Sequence, residues 1–240
     1  MKFLYFCKNH LKMDINQHCK NCKFKSELFE KLNQEELDYV HRNKQTISVK
    51  KGTTISKSGE PIREFIYLVD GLVKFQKIGK NGKEQIVSLA RPLDFIGLLS
   101  IFSKPTYEYT VTALLDSVVC KIDIESMRYM VQKNGLFSMD VLKYISNISD
   151  EIIRHTYAIN SKNLRGRIAM ILIDFSEKYF NASSFDLPIS RKEMAEMIDM
   201  TPENVIRILS EFRRDGIVNV RGKHIEILNP TLLSKIRDLG

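Results

Sequence analysis

Two groups of residues in this chain have the types and the spacing to do chemistry. Cys19 and Cys22 form a CxxC, with Cys7 ahead of them and Cys120 far downstream. Two thiolates so spaced can hold one metal ion, or one edge of an iron-sulfur cluster, from a single turn of chain. The second group is Glu203 and Arg207, four residues apart. Arginine can donate a bidentate pair to O6 and N7 of guanine, and glutamate can accept from N4 of cytosine. On an ordinary solvated helix the same two side chains would make a surface ion pair worth about 0.2–0.5 kcal/mol. Their surroundings decide between the two.

Ser190 followed by Glu193 is a capping-box start for one helix, to about Ile198, and Thr201 followed by Pro202 supplies an N-cap and first-turn proline for another. Helix starts so close leave room only for a turn between them. In the second helix Val205, Ile208, Leu209 and Phe212 make one buried stripe. Glu203, Arg207, Ser210 and Arg214 then face outward, and Ile206, outside the stripe, is free to meet a thymine methyl. Gly216 ends the helix, and IVNV, RGKH and IEIL read as a small hairpin with a basic tip. Arg221 and Lys223 on the hairpin could touch phosphate, and Arg191 and Lys192 on the first helix are further candidate DNA contacts. A helix-turn-helix followed by such a hairpin is a winged domain.

This stretch resembles the C-terminal domain of the CRP/FNR family of bacterial transcription regulators, in which a Glu and an Arg four residues apart on the recognition helix contact bases. The resemblance implies that Glu203 and Arg207 read bases, in a homodimer on a two-fold symmetric operator, with RNA polymerase as a further partner. The FNR branch usually has Ser where this chain has Ile206, so the preferred half-site need not carry over.

The rest of the chain supports the same organisation, an α+β architecture of four segments. Residues 1–25 hold three cysteines with His10 and His18; 26–125 form a sensor domain with lead-in helices; 126–160 are a dimerisation helix; 161–240 are the DNA-binding domain. Between Thr46 and Asp123 run short β segments, ISVKKGTTI, REFIYLV, LVKFQKI, EQIVSL, EYTVTAL and SVVCKI, punctuated by glycine turns. These predict an antiparallel sandwich or barrel, and FIYLVDGLVKF with the later DFIG resembles the cyclic-nucleotide-binding jelly roll. Relatives that bind cAMP follow that glycine with Glu and later supply Arg-Ser. Here Leu98 follows Gly97 and the later pair falls on Tyr107-Glu108, so cAMP is not expected.

From Glu125 the pattern is helical. Val141, Ile145, Ile148, Ile152, His155 and Ile159 follow an a/d seam, and isoleucine at successive a positions favours a two-stranded pairing. A helix lying on its own jelly roll would need a wider stripe. Ser161 to Phe180 continues as an amphipathic helix, with a hinge at Asn160-Ser161.

The FNR branch carries a cysteine in a strand context like that of Cys120, as the last ligand of an oxygen-labile [4Fe-4S] cluster, and a CxxC that Cys19 and Cys22 match. The third N-terminal ligand normally follows the CxxC, where this chain has none, so Cys7 would complete the set. Three assignments stay open: a cluster on Cys7, Cys19, Cys22 and Cys120; a structural zinc; and free thiols with Cys120 as a small buried residue. An all-isoleucine seam would dimerise unaided, which argues against control by a cluster.

The net charge of +8 suits a nucleic-acid partner, although the excess is spread along the chain. There is no run of eighteen apolar residues, so a cytoplasmic protein without a membrane anchor is expected. No paired-carboxylate, HExxH or phosphate-cradling glycine signature points to an enzyme. The alternative from another class is a thiol protein whose jelly roll binds a small molecule and whose winged domain meets protein.

Overall fold

The computed structural model describes residues 18–79, 82 and 84–240. The described residues form two units, one within 18–84 and 88–151, the other in 85–87 and 152–240.

In the first unit Asn33 and Glu36 close a reciprocal capping box at the start of α1 (Gln34–Arg42). Eight strands follow: β1 (Lys44–Val49), β2 (Thr54–Ser56), β3 (Glu64–Asp70), β4 (Val73–Ile78), β5 (Glu84–Ala90), β6 (Phe95–Ile96), β7 (Thr110–Ala113) and β8 (Ser117–Asp123), with the short α2 (Leu98–Ile101) after β6. They lie in two antiparallel sheets, ordered β1-β8-β3-β6 and β2-β7-β4-β5. Leu68 and Val119 from one sheet and Val73, Val111 and Ala113 from the other share one apolar core. The run ISVKKGTTI is thus two strands in different sheets, split where Gly52 turns with φ +85. Gly71, between β3 and β4, is required by close approach, because a Cβ there would stand 2.1 Å from the Ser117 hydroxyl.

The stretch expected as one helix over 126–160 belongs to two. Asp123 caps α3 (Ile124–Lys133), and Asn134 separates it from α4 (Gly135–Ser161). Asn134 donates to the Glu36 carboxylate at 3.0 Å and accepts from Phe137 N at 3.0 Å, so it ends one helix, starts the next and ties both to α1. On α4, Phe137 and Val141 are buried, and Tyr144, Ile145 and Ile148 pack against the jelly-roll core. The first half of the isoleucine stripe is therefore taken up by its own chain. A helix on a β core needs its apolar residues there.

In the second unit Asn163 caps α5 (Leu164–Asp174), which runs into a π-helical turn, Phe175–Phe180, instead of continuing as a regular helix. Then come β9 (Ser184–Asp186), α6 (Arg191–Met197), α7 (Pro202–Arg214), β10 (Val218–Arg221), β11 (His224–Ile227) and α8 (Pro230–Leu239). The wing is three-stranded, ordered β10-β11-β9, because Phe185 of β9 pairs with Ile225. Neither β9 nor α8 was expected from the pattern. Helix α8 packs along α5, where a Cβ on Gly166 would meet the Gly240 carbonyl carbon at 2.9 Å. No helix among the described residues is long and apolar enough to cross a membrane.

Candidate nucleic-acid interface and thiol cluster

The second helix of the motif, α7, is built locally. The Ser190 and Glu193 side chains each bond the other's backbone N–H, and Thr201 accepts from Asn204 N at 3.3 Å with Pro202 in the first turn. Val205, Ile208 and Phe212 are fully buried and Leu209 is 3% exposed, so α7 has one committed face. That burial forces the opposite face into solvent, and Glu203, Ile206, Arg207, Ser210 and Arg214 are all exposed. Between the helices Asp199 takes a left-handed φ of +50. Arg167 of α5 holds this turn by donating to the carbonyls of Ile198 and Asp199 at 3.1 and 2.9 Å.

Glu203 and Arg207 do not pair with each other. Glu203 is held below the usual carboxylate range by its own backbone N–H and the Thr201 hydroxyl. Arg207 donates through Nη1 to Glu211 at 2.5 Å and through Nη2 to Asn204 at 3.2 Å. Its surface pair with Glu211 is worth about 0.3–0.5 kcal/mol. A bidentate contact to guanine discriminates by about 1–3 kcal/mol, so DNA is not outcompeted by the pair. Ser210 turns its hydroxyl back to the Ile206 carbonyl at 2.9 Å.

The predicted phosphate contacts divide. Lys192 is exposed, 4.0 Å from Glu196, and Arg221 and Lys223 are exposed at the wing tip. Arg191 instead reaches across to the Gly222 carbonyl at 2.8 Å, and burial lowers its pKa. It fastens α6 to the wing turn. Sequence reasoning missed that role, along with Asn204, Arg165, Arg167 and Glu211. It also missed His224, which bridges Asp186 at 2.8 Å and Ser184 at 3.1 Å and ties β11 to β9. His224 and Asp186 are 45% and 78% exposed, which makes this a solvated strand tie.

The thiol cluster is built by long-range register. Cys120 sits in the middle of β8, opposite Thr46 of β1 and Tyr67 of β3. Val119 points into the core, so its neighbour points to the other face of the sheet. There Thr46 Oγ1 meets Cys120 Sγ at 3.3 Å. Cys19 opens a tight turn over Cys19–Asn21, with Cys22 N donating back to Cys19 O at 3.3 Å. The buried Tyr67 hydroxyl donates to the Phe24 carbonyl at 2.6 Å and pins the segment after the CxxC onto the same sheet. Cys19, Phe24 and Cys120 all pack against the core.

Two of the thiols, Cys19 and Cys120, are perturbed. Burial pushes Cys19 up to about 11, the Lys44 ammonium opposes this, and negative charge on Cys120 or Cys22 adds to it. Burial also raises Cys120, against the Thr46 hydrogen bond and Lys44. Cys7 and His10 lie outside the described residues. His18 stands 3.2 Å from Asp38 and stacks near His41, with ring centres 4.1 Å apart. Among the described residues no three of His, Cys, Asp and Glu already stand as a metal-ligand set. The donor chemistry suits an iron-sulfur cluster, since Cys19 and Cys22 lie on a segment that the Tyr67–Phe24 hydrogen bond fastens to the sheet carrying Cys120.

Among the described residues, large side chains crowd the jelly roll near Gly97. Tyr107 is buried and donates to the Glu64 carbonyl at 3.1 Å, Leu98 is buried, and the Glu108 carboxylate lies 3.5 Å from Lys77 and 3.7 Å from Lys104. The cavity among Phe75, Gly97, Tyr107 and Tyr109 is about 10 Å³, room for about one water molecule and not for a nucleotide.

On α4, exposure shifts the free face by one residue. Met139, Leu142, Ile153 and Tyr157 are 63%, 56%, 65% and 73% exposed, against 45% for Ile152. His155 and Ile159 are half-buried.

Comparison with known proteins follows this division. The cyclic nucleotide-binding domain family matches residues 46–134 and the Crp-like helix-turn-helix domain family residues 166–236, together about two thirds of the chain. The chain is similar to the fumarate and nitrate reduction regulatory protein of Vibrio cholerae, 26% identical over 228 residues that cover 91% of this chain and 90% of that one. It is 25% identical to the transcriptional activator protein anr of Pseudomonas aeruginosa, with 88% and 89% covered. Among solved structures it resembles FixK2 from Bradyrhizobium japonicum, with a TM-score of 0.72 at 23% identity, covering 80% of this chain and 96% of that one. A CRP/FNR-family transcriptional regulator from Thermus thermophilus gives a TM-score of 0.67 at 21% identity, with 81% and 98% covered.

Proposed function

Because this chain belongs to the CRP/FNR family of transcription regulators, we propose that it is a homodimeric, sequence-specific DNA-binding regulator that reads bases with Glu203, Ile206 and Arg207. The observation that carries this reading is the exposed face of α7, held outward by a fully buried stripe and flanked by the exposed cations of the wing. Ser210 completes the reading face, and Lys192, Arg221 and Lys223 meet phosphates. Two copies of this helix related by a two-fold axis call for an inverted-repeat operator. RNA polymerase in the cytoplasm is the partner such a regulator serves.

The dimer forms through the face of α4 left open by its own chain. Met139, Leu142, Ser146, Ser149 and Ile153 step by 3, 4, 3 and 4, and Tyr157 lies one turn on. Two serines stand at the centre of this face. A seam so composed is weaker than one of isoleucines, so the objection that the dimer would hold without help falls away.

The signal is oxygen or redox state, sensed by a [4Fe-4S] cluster. Cys19, Cys22 and Cys120 would hold it, with Cys7 as fourth ligand; such a cluster supplies an oxygen-sensitive cross-link between the N-terminal segment and β8. The Tyr67 to Phe24 hydrogen bond orients the CxxC, and Lys44 offsets negative charge on the thiolates.

The DNA reading is tested by selecting sites from random duplexes and then measuring affinity against salt. An inverted repeat, and a log–log slope of about −0.9 for each phosphate neutralised, are expected. A flat salt dependence would instead mean that the winged domain meets protein.

A further inference from the structure

Glu211 lies one turn beyond Arg207, and its spacing alone suggests only an ion pair. Its position in the fold is more particular. One carboxylate oxygen, Oε1, takes Arg207 Nη1 at 2.5 Å, and the other, Oε2, takes Arg165 Nη1 of α5 at 2.8 Å. Arg165 is fixed twice more, by Asp215 at 3.0 Å and by the face of Phe212, 4.7 Å from the ring centre. Glu211 is only 22% exposed while Arg207 is 55% exposed, so the anchored end is sheltered and the presented end is free. From the other side Asn204 accepts from Arg207 Nη2 at 3.2 Å. The guanidinium is thus gripped by residues three before it and four after it on α7. Two of its five N–H donors are engaged, which leaves three for a base edge.

We infer that Glu211 is a positioning residue that sets the base specificity of Arg207, with Arg165 as the brace that holds Glu211 in place. The inference rests on Arg207 reading a base. An unanchored arginine has a flexible stem that must be ordered on binding, and it can settle on a phosphate as readily as on guanine. A gripped guanidinium presents its remaining donors in one plane and rewards only a base whose acceptors lie there. The Glu211 carboxylate also opposes indiscriminate attraction to the phosphate backbone. Loss of Glu211 should therefore lower discrimination while leaving or raising affinity for arbitrary DNA. Loss of helix packing alone would lower both.

The test is site selection followed by affinity measurement on the preferred duplex, on its single-base variants and on unrelated DNA, using wild type, Arg207→Ala, Glu211→Ala, Glu211→Gln and Arg165→Met. Arg207→Ala should erase preference at one base pair in each half-site. Glu211→Ala should weaken discrimination at that same base pair by about fivefold or more, without loss of affinity for unrelated DNA. Glu211→Gln, which keeps an acceptor, should retain most of the discrimination, and Arg165→Met should act as Glu211→Ala does, more weakly. Discrimination unchanged in Glu211→Ala, or an equal loss on every DNA, overturns the inference and leaves the reading by Arg207 intact. Preference unchanged in Arg207→Ala overturns that reading and the inference with it.

Discussion

The reading helix and the thiol cluster are assembled in opposite ways. The start, axis and exposed face of α7 are set by a short stretch: a capping box at Ser190, a proline at the start of α7 and four buried residues at helical spacing. Cys120 is placed instead by long-range register: β8 pairs with β1 and β3 so that Cys120 lies opposite Thr46 and Tyr67, and Tyr67 pins Phe24, just after the CxxC, to the same sheet. A one-residue slip of β8 would turn Cys120 into the core. The first site should thus tolerate remote change, whereas the second should answer to any change that moves the N-terminal segment against the sheet.

The largest effect expected is at the helix between them. Ile153→Asp places two like charges across the open face of α4 and should give folded monomers that no longer bind an inverted repeat. Ile145→Asp, one residue from the same seam by pattern but packed on the core, should instead destabilise the chain by about 3 kcal/mol or more. Sedimentation and thermal melting separate the two. A folded dimer for Ile153→Asp would place the interface elsewhere.

Next in size is Cys120→Ser, which should abolish the visible absorbance of anaerobically prepared protein. A zinc site would leave such protein colourless from the start, and Cys120 could then be dispensable. Arg207→Ala should cost about 1–3 kcal/mol on the specific site and little on unrelated DNA. Equal losses on both would make Arg207 a phosphate contact and leave base reading to other residues.

The smallest effect concerns metal-free protein at high pH. Cys19 is pushed from an ordinary 9.0 up to about 11 by burial, so the folded state keeps its proton longer than the unfolded state does. Stability is then full below pH 9 and falls as pH rises toward 11. Cys19→Ala should flatten that decline in denaturation midpoints. A decline of equal slope would assign it to other groups.

Legibility in the sequence follows the same contrast. Helix starts, the stripe of α7 and the short strands could all be read from local spacing, because caps and periodicity act over a few residues. The partner of Arg207 could not, since Glu203 and Glu211 are both four residues from it and only the fold brings Arg165 to brace Glu211. The face of α4 was ambiguous for a related reason: Val141, Ile145 and Ile148 satisfy a heptad pattern and a jelly-roll core equally well, and in the fold they pack against the core. The third strand of the wing, β9, is three residues long and carries no periodic signal of its own. The CxxC suggested a metal site by spacing alone, but the place of Cys120 opposite Thr46 and Tyr67 depends on strand register that composition cannot supply.

On the proposed function, the state of the cysteines sets the DNA affinity of α7. Anaerobically purified protein is titrated with a duplex bearing the selected inverted repeat, its visible spectrum is recorded alongside, and both are repeated after exposure to air. About four iron and four sulfide per chain are expected, with absorbance and DNA affinity that change together in air. Colourless protein, or an affinity that stays constant while the absorbance bleaches, would contradict the proposed function.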